Sequence, residues 1–404
     1  MKTAIWLYLF MFVAFFDLHA QYPILTPFAL SLGAAPTFIG WIMGVYSITH
    51  LPGNLLAGVW VDRYGSKWFI LLSLIGAGIL LLYQSTVTNP WQLLWIRSIS
   101  GFVLAFLSPA SMAMLAKLAQ NRTHQGKLMA GNGLVHTFAS VISPAVGAYL
   151  VAKFGFTASF LFLGWALIGI GLLAMLGIRE QRTPAVAGEK LDLSASGHAH
   201  GHAPSPAMNP ANSLAPAADP VDKGTIPWLF FGIPMAISCA QGILFFELPL
   251  MSAAKQSILT SGLLFSMVSL GALLTLSLLF LNRFSPFIRT VSGALALALV
   301  FFGLSVHWPL PIATSLFLVG MAKGVIFPAM ATLLATVSSA SRYGRVFSLL
   351  SVSFSIGAFL GPVLAGQLRT VVSPYFIAFL FLMLALLLLT PQKFRTATTP
   401  VLPR

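Results

Sequence analysis

Apolar runs long enough to cross a lipid bilayer recur along this chain, and they constrain its fold more than any motif does. A helix needs about 20 mostly apolar residues to span the hydrocarbon core, and runs of that order fall at roughly 4–30, 38–60, 67–85, 91–118, 127–152 and 156–177. Six more follow at roughly 226–249, 257–281, 288–306, 309–337, 345–367 and 373–390. We number them spans 1 to 12 in chain order. The first is not read as a cleaved leader, because it runs too long, carries Asp17 and His19, and continues through Pro23 and Pro27. A soluble domain carries about 25% charged residues, whereas this chain of 404 residues is 58% hydrophobic and 7% charged. The expected class is an all-α integral membrane protein with twelve transmembrane helices.

The few charges are placed with a bias. With the N-terminus on the cytoplasmic side, only Lys153, Lys255 and Arg369 fall outside, and Arg97 and Lys323 fall within spans. Every other Lys and Arg is cytoplasmic, as the positive-inside rule requires. Both termini are therefore expected in the cytoplasm, with the chain in the inner membrane of a prokaryote. The net charge of +14 belongs to that membrane face and not to a nucleic-acid groove, which would need a clustered patch on a folded surface. The single cysteine, Cys239, excludes a disulfide framework and a cysteine-rich metal site.

The chain repeats itself. Asp62-Arg63 between spans 2 and 3 has a counterpart in Asn282-Arg283 between spans 8 and 9, and Pro109 has one in Pro328. Gly126-Lys127 pairs likewise with Gly344-Arg345, and Pro144 with Pro362. All these offsets lie between 218 and 220 residues, so two homologous halves are expected. The domains are 1–178 and 226–404, each a six-helix bundle, joined by 179–225 as a disordered cytoplasmic linker rich in Pro, Ala, Gly, Ser and His. The two pseudo-symmetric bundles should surround a central cavity. His198, His200 and His202 in the linker have a metal-like spacing, but no Cys or carboxylate cluster completes a site; no metal and no cofactor are expected.

Charges inside a span are costly and by default mark a pathway or relay. Asp17 lies near the middle of span 1, Arg97 in span 4, Lys323 in span 10 and Glu247 toward the end of span 7. Residues four apart share a helix face. Asp17 and Gln21 therefore lie together, with His19 turned away from them. Tyr46, His50 and Asn54 form a polar stripe on span 2, and Asn132, His136, Ser140 and Ser143 form one on span 5. On span 7 Ser238 and Gln241 share a face. Such stripes should line a cavity. Asp17 is the expected proton-binding residue, with Arg97 beside it and His50 and His136 as rivals. Gln21, Tyr46, Asn54, Asn132, Gln241 and Lys323 are the expected cavity residues. Lys323 is placed opposite Asp17, where it would suit an anionic or zwitterionic ligand, and Arg97 is expected to face spans 1 and 5.

Three motifs carry a family resemblance. Gly58-Val-Trp-Val-Asp62-Arg63-Tyr-Gly65-Ser66-Lys67 resembles the loop between spans 2 and 3 of the major facilitator superfamily; Ser66 departs, since relatives carry a base there. Arg97-Ser-Ile-Ser-Gly101 resembles that family's span-4 motif, with Ser100 in place of glutamine. Ala130, Ala139, Ser143, Pro144, Gly147 and Ala148 resemble its span-5 exporter motif, with small residues in place of most glycines; Gly361 and Pro362 repeat the theme in span 11. The resemblance implies a secondary transporter, working as a monomer by alternating access, with a small-molecule substrate, protons and the bilayer as its partners. Proton-coupled export of a small organic molecule is the leading expectation. Proton-coupled uptake and a non-transporting membrane sensor are the alternatives, and an enzyme is not expected. The resemblance also implies that Asp62 locks the outward-facing state against the start of span 11 near Gly344 and Arg345.

Overall fold

Glycine and proline decide where the spans turn and where they break. The computed structural model describes residues 2–119, 122–177, 228–255, 257–337 and 343–388. The predicted linker, with His198, His200 and His202, lies outside the described residues, as do the side chains of Asp62 and Arg345.

Every described element is a helix, as a chain in hydrocarbon requires to satisfy its backbone polar groups internally. Span 1 is two helices, Lys2–Ala20 and Tyr22–Ser31, broken at Gln21. Pro23 offers no N–H to the carbonyl of His19, four residues back. Span 2 is Pro36–Tyr64 and span 3 is Ser66–Gln84, joined at Gly65 with φ 88°. That left-handed backbone is open to glycine and strained for other residues. Span 4 breaks into Pro90–Leu104 and Leu107–Leu118, because Pro109 leaves the carbonyl of Ala105 without a donor. Spans 5 and 6 form one run, Arg122–Gly177, reversed at Gly155 with φ 80°. Spans 7 to 12 are Gly232–Lys255, Ile258–Ser277, Pro286–Ser305, Ile312–Val337, Tyr343–Leu368 and Pro374–Leu387.

Among the described residues nine helical stretches are long and apolar enough to cross a membrane. Twelve spans result because the Arg122–Gly177 run is two, the 14-residue Pro374–Leu387 is short, and Pro36–Tyr64 carries the polar stripe of span 2.

In the first half span 1 packs on span 5, span 2 on span 4 and span 3 on span 6. In the second half span 7 packs on span 11, span 8 on span 10 and span 9 on spans 10 and 12. The halves meet along two seams, span 2 with span 11 and span 5 with span 8. Each seam is a glycine of one half laid on a proline carbonyl of the other: Gly40 on Pro362, and Gly262 on Pro144. A Cβ at either glycine would enter the van der Waals radius of that carbonyl oxygen, so only glycine permits the approach. Pro144 and Pro362 are equivalent under the internal repeat, while the glycines that meet them are not, since the counterpart of Gly262 at the same offset is Gly44. Both seams lie toward the end of the bundle that carries Gly155, and Tyr22–Ser31 packs there on spans 7 and 8. The halves are therefore closed together at the Gly155 end.

Candidate functional site

Two chambers lie between the halves below those seams. The larger, about 240 Å³, is lined by Gln21, Tyr46, His50 and Arg97 from the first half, and by Ser351 and Ser355 from span 11. The smaller, about 90 Å³, is lined by His19, His136, Ser140 and Lys323. Tyr22, Gln241, Phe245 and Phe327 line both and form the partition between them.

Span 1 has a share in both chambers, since Phe15 and Leu18 line the larger and His19 the smaller, all before the break at Gln21. Gln21 and Tyr22 sit at the junction of the two helices, and their side chains serve different neighbours. Gln21 Nε2 donates to both carboxylate oxygens of Asp17, each at 3.0 Å. Its Oε1 accepts from Arg97 Nη1 at 3.1 Å. Arg97 also stacks over Tyr46, with Cζ 4.6 Å from the ring centroid. Only one amide orientation fits, since the carboxylate takes only donors and the guanidinium gives only donors. Asp17 is 2% exposed and Arg97 6%, so both charges are out of water and each needs its partner. The two ions are joined through an amide. Arg97 Nε, also buried, has no hydrogen-bond partner among the described residues.

The other face of span 1 behaves differently. His19 Nδ1 lies 2.7 Å from the carbonyl of Phe15, a contact that anchors the ring. His19 and His136 stand edge to face at 5.1 Å between centroids, and Phe15 stands edge to face on His136 at 4.5 Å. Lys323 reaches over Phe327 at 5.7 Å from its centroid.

The expected site residues are thus divided. Gln21, Tyr46, His50 and Arg97 share the larger chamber, with Asp17 behind Gln21; His136 and Lys323 share the smaller, and Gln241 touches both. Lys323 does not share a chamber with Gln21 and Arg97, because His19 and not Asp17 is the span-1 residue that lines its chamber. Arg97 reaches spans 1 and 2, not span 5. Asn54 and Asn132 line neither chamber. Asn54 Nδ2 sits 2.6 Å from His50 Nδ1, and Asn132 Nδ2 points at the sulfur of Met112 in span 4 at 3.8 Å. Each has a buried carbonyl oxygen without a hydrogen-bond partner among the described residues.

Ser143 donates to the carbonyl of Ala139, Gly147 packs on Ala20 at the break in span 1, and Gly361 packs on Cys239. Arg63, Gly65 and Lys67 close the turn between spans 2 and 3, where Lys67 Nζ donates to the Met175 carbonyl at 3.0 Å, whereas Gly58 lies inside the span-2 helix, before that turn. At the other end Glu247 pairs with Arg369 at 3.2 Å. Sequence reasoning missed Tyr22, Phe245 and Phe327.

Comparison with known proteins places this geometry. The profile described as Major Facilitator Superfamily matches residues 7–312 and 289–402. An uncharacterized MFS-type transporter of Methanocaldococcus jannaschii is 29% identical over 154 residues, which are 38% of this chain and 39% of that protein. Multidrug resistance protein MdtG of Serratia proteamaculans is 28% identical over 147 residues, 36% and 35% of the two chains. Multidrug resistance protein 1 of Bacillus subtilis is 25% identical over 175 residues, 43% and 44%. The aligned stretches span less than half the length of each of these relatives. The fold is shared in full with a bacterial homolog of the human lysosomal transporter Spinster, in an inward-facing and occupied crystal structure. That chain superposes with a TM-score of 0.73 at 14% identity, over 98% of this chain and 96% of its own.

Proposed function

The chain belongs to the Major Facilitator Superfamily, and from that premise we propose that it is a secondary active transporter that exports a small organic molecule in exchange for protons. The observation that carries this reading is the Asp17–Gln21–Arg97 relay at the wall of the larger chamber. A carboxylate held at mid-span with 2% exposure can carry one proton and little else. Its bond to Gln21 makes that proton felt by a residue that touches the chamber. When Asp17 is ionised, the Gln21 amide donates to it and presents its oxygen to Arg97. When Asp17 is protonated, its O–H needs an acceptor, and the Gln21 amide supplies one if it turns its oxygen toward the carboxyl. Proton and Arg97 then compete for Gln21, and Arg97 is released toward the chamber and its contents.

The positive-inside charge bias supports an orientation with the Gly65 end in the cytoplasm of a prokaryotic inner membrane. In that orientation the closed seams at Gly40–Pro362 and Gly262–Pro144 face outward, and the chambers are reached from the cytoplasm. Rocking of one half against the other about those seams would alternate the access. The names of two relatives, both multidrug resistance proteins, support the outward direction, as does the small-residue pattern around Pro144.

The test uses inverted membrane vesicles energised to an acid interior. Each compound of an amphipathic panel is added while interior pH is followed with a fluorescent amine. Export predicts that a transported compound releases protons from the vesicles and accumulates inside them. Accumulation only in right-side-out vesicles would establish uptake instead. Accumulation without proton release would remove the proton from the scheme.

A further inference from the structure

Resting on the transport reading, we infer that the transported molecule is an organic anion with a flat apolar body, whose negative group is received by Lys323. Lys323 lies in the middle of span 10 and lines the smaller chamber. No carboxylate is among the residues that line it, whereas His19 and His136 are. The carboxylates with described side chains are committed elsewhere: Asp17 to Gln21, and Glu247 to Arg369. Among the described residues Lys323 Nζ lies over the face of Phe327, which offers attraction but no counter-charge. An ammonium at this depth requires an anion, and the cargo is the group able to supply it. The larger chamber differs, because the charge of Arg97 is opposed by Asp17 through Gln21. The two chambers together are therefore positive, and a cationic cargo would meet like charge.

The walls describe the rest of the molecule. On the wall of the larger chamber Tyr22 and Phe245 lie 4.2 Å apart between ring centroids at 30°, and Phe327 and Phe354 lie 5.6 Å apart at 45°. Such rings take a flat apolar body by offset or edge contact. The small chamber has room for a carboxylate and the adjoining larger one for the body. Gln241, which lines both, can donate to the bound anion where the two meet.

The experiment is equilibrium binding to purified protein in phosphatidylcholine nanodiscs near neutral pH. Three matched probes are compared: 2-naphthoate, 2-naphthamide and 2-naphthylmethylamine. We expect naphthoate to bind at least about tenfold more tightly than the amide, the lower bound for a hydrogen bond to a charged group. The amine should bind most weakly. Lys323→Gln should remove the advantage of the acid and leave the amide within about twofold, while Lys323→Arg should keep the advantage. Equal affinity for acid and amide, tighter binding of the amine, no binding of the acid, or an acid preference that survives Lys323→Gln would each overturn the inference. If Lys323→Gln does not elute as a folded monodisperse species, the three-probe ranking on the unaltered protein and on Lys323→Arg decides. Binding needs no proton gradient, so failure here is distinct from failure of proton exchange.

Discussion

The side-chain amide of Gln21 is hydrogen-bonded to both carboxylate oxygens of Asp17, each at 3.0 Å. Its other end holds Arg97. Replacing it with an apolar residue should separate two events that the amide joins. In Gln21→Leu we expect downhill substrate flux to persist while the protons moved per substrate fall well below the unaltered ratio. Each lost hydrogen bond to an ion is worth about 1.5–3 kcal/mol, enough to reduce concentrative transport at least about tenfold. A normal proton-to-substrate ratio in Gln21→Leu would show that the relay does not couple.

Arg97 makes two contacts that ask for different properties of its guanidinium. It donates to Gln21 and stacks on Tyr46. A lysine ammonium is a point donor and does not reproduce the planar fork. Arg97→Lys should therefore impair transport at least about tenfold. Tyr46→Phe keeps the ring face and should stay within about threefold, whereas Tyr46→Leu loses a cation–π contact of about 0.5–2 kcal/mol. Initial rates in vesicles at matched expression check this ranking. Full activity in Arg97→Lys, or equal damage from Phe and Leu at position 46, would contradict it.

The seams predict a conformational effect without any change in chemistry. In Gly40→Val the new side chain would be driven against the Pro362 carbonyl, and in Gly262→Val against that of Pro144. Each should open the Gly155 end and shift the population away from the state described. Maleimide labelling of a cysteine introduced at Gln241, from the face bearing Lys153, should rise in both variants. Because a Cβ at either glycine would meet its proline carbonyl equally closely, the effects should be similar in size. Unchanged labelling would mean that the seams do not hold this end shut.

Exchange of one proton for a monoanion moves two charges in the same electrical sense. That yields about 4.6 kcal/mol for 100 mV, with about 1.4 more for one pH unit. Export of naphthoate should therefore respond more steeply to a valinomycin-imposed potential than export of any neutral compound. An equal response of the two would argue that the anion is carried as its neutral acid.

Much of this could be read in the sequence, and the boundary has a physical cause. Apolar length located the spans, because the bilayer acts on each helix separately. The four-residue spacing put Asp17 beside Gln21, and the two-residue offset turned His19 to another side; both are properties of one helix. Which helix a face meets is set by packing. Asn54 and Asn132 lie on the predicted polar stripes, yet they turn to His50 and Met112 and not to the cavity. Arg97 was aimed at span 5 and found span 2, since Gly101, one turn on, lets the backbone of Tyr46 come close. The partition that separates Lys323 from the Asp17 relay is built from Tyr22, Phe245 and Phe327. Aromatic residues are so common in these spans that nothing in the chain marked those three.

Concentrative transport and substrate counterflow, measured side by side in proteoliposomes carrying Asp17→Asn, test proton coupling at Asp17 most directly. Asparagine keeps the shape of the carboxylate and one acceptor for the Gln21 amide but carries no titratable proton. The account predicts that Asp17→Asn cannot concentrate substrate against its gradient under an imposed proton gradient, while exchange of labelled for unlabelled substrate continues at a rate near that of the unaltered protein. If Asp17→Asn still concentrates substrate, and His50→Gln or His136→Gln does not, the proton is carried by that histidine and the role given to Asp17 is wrong.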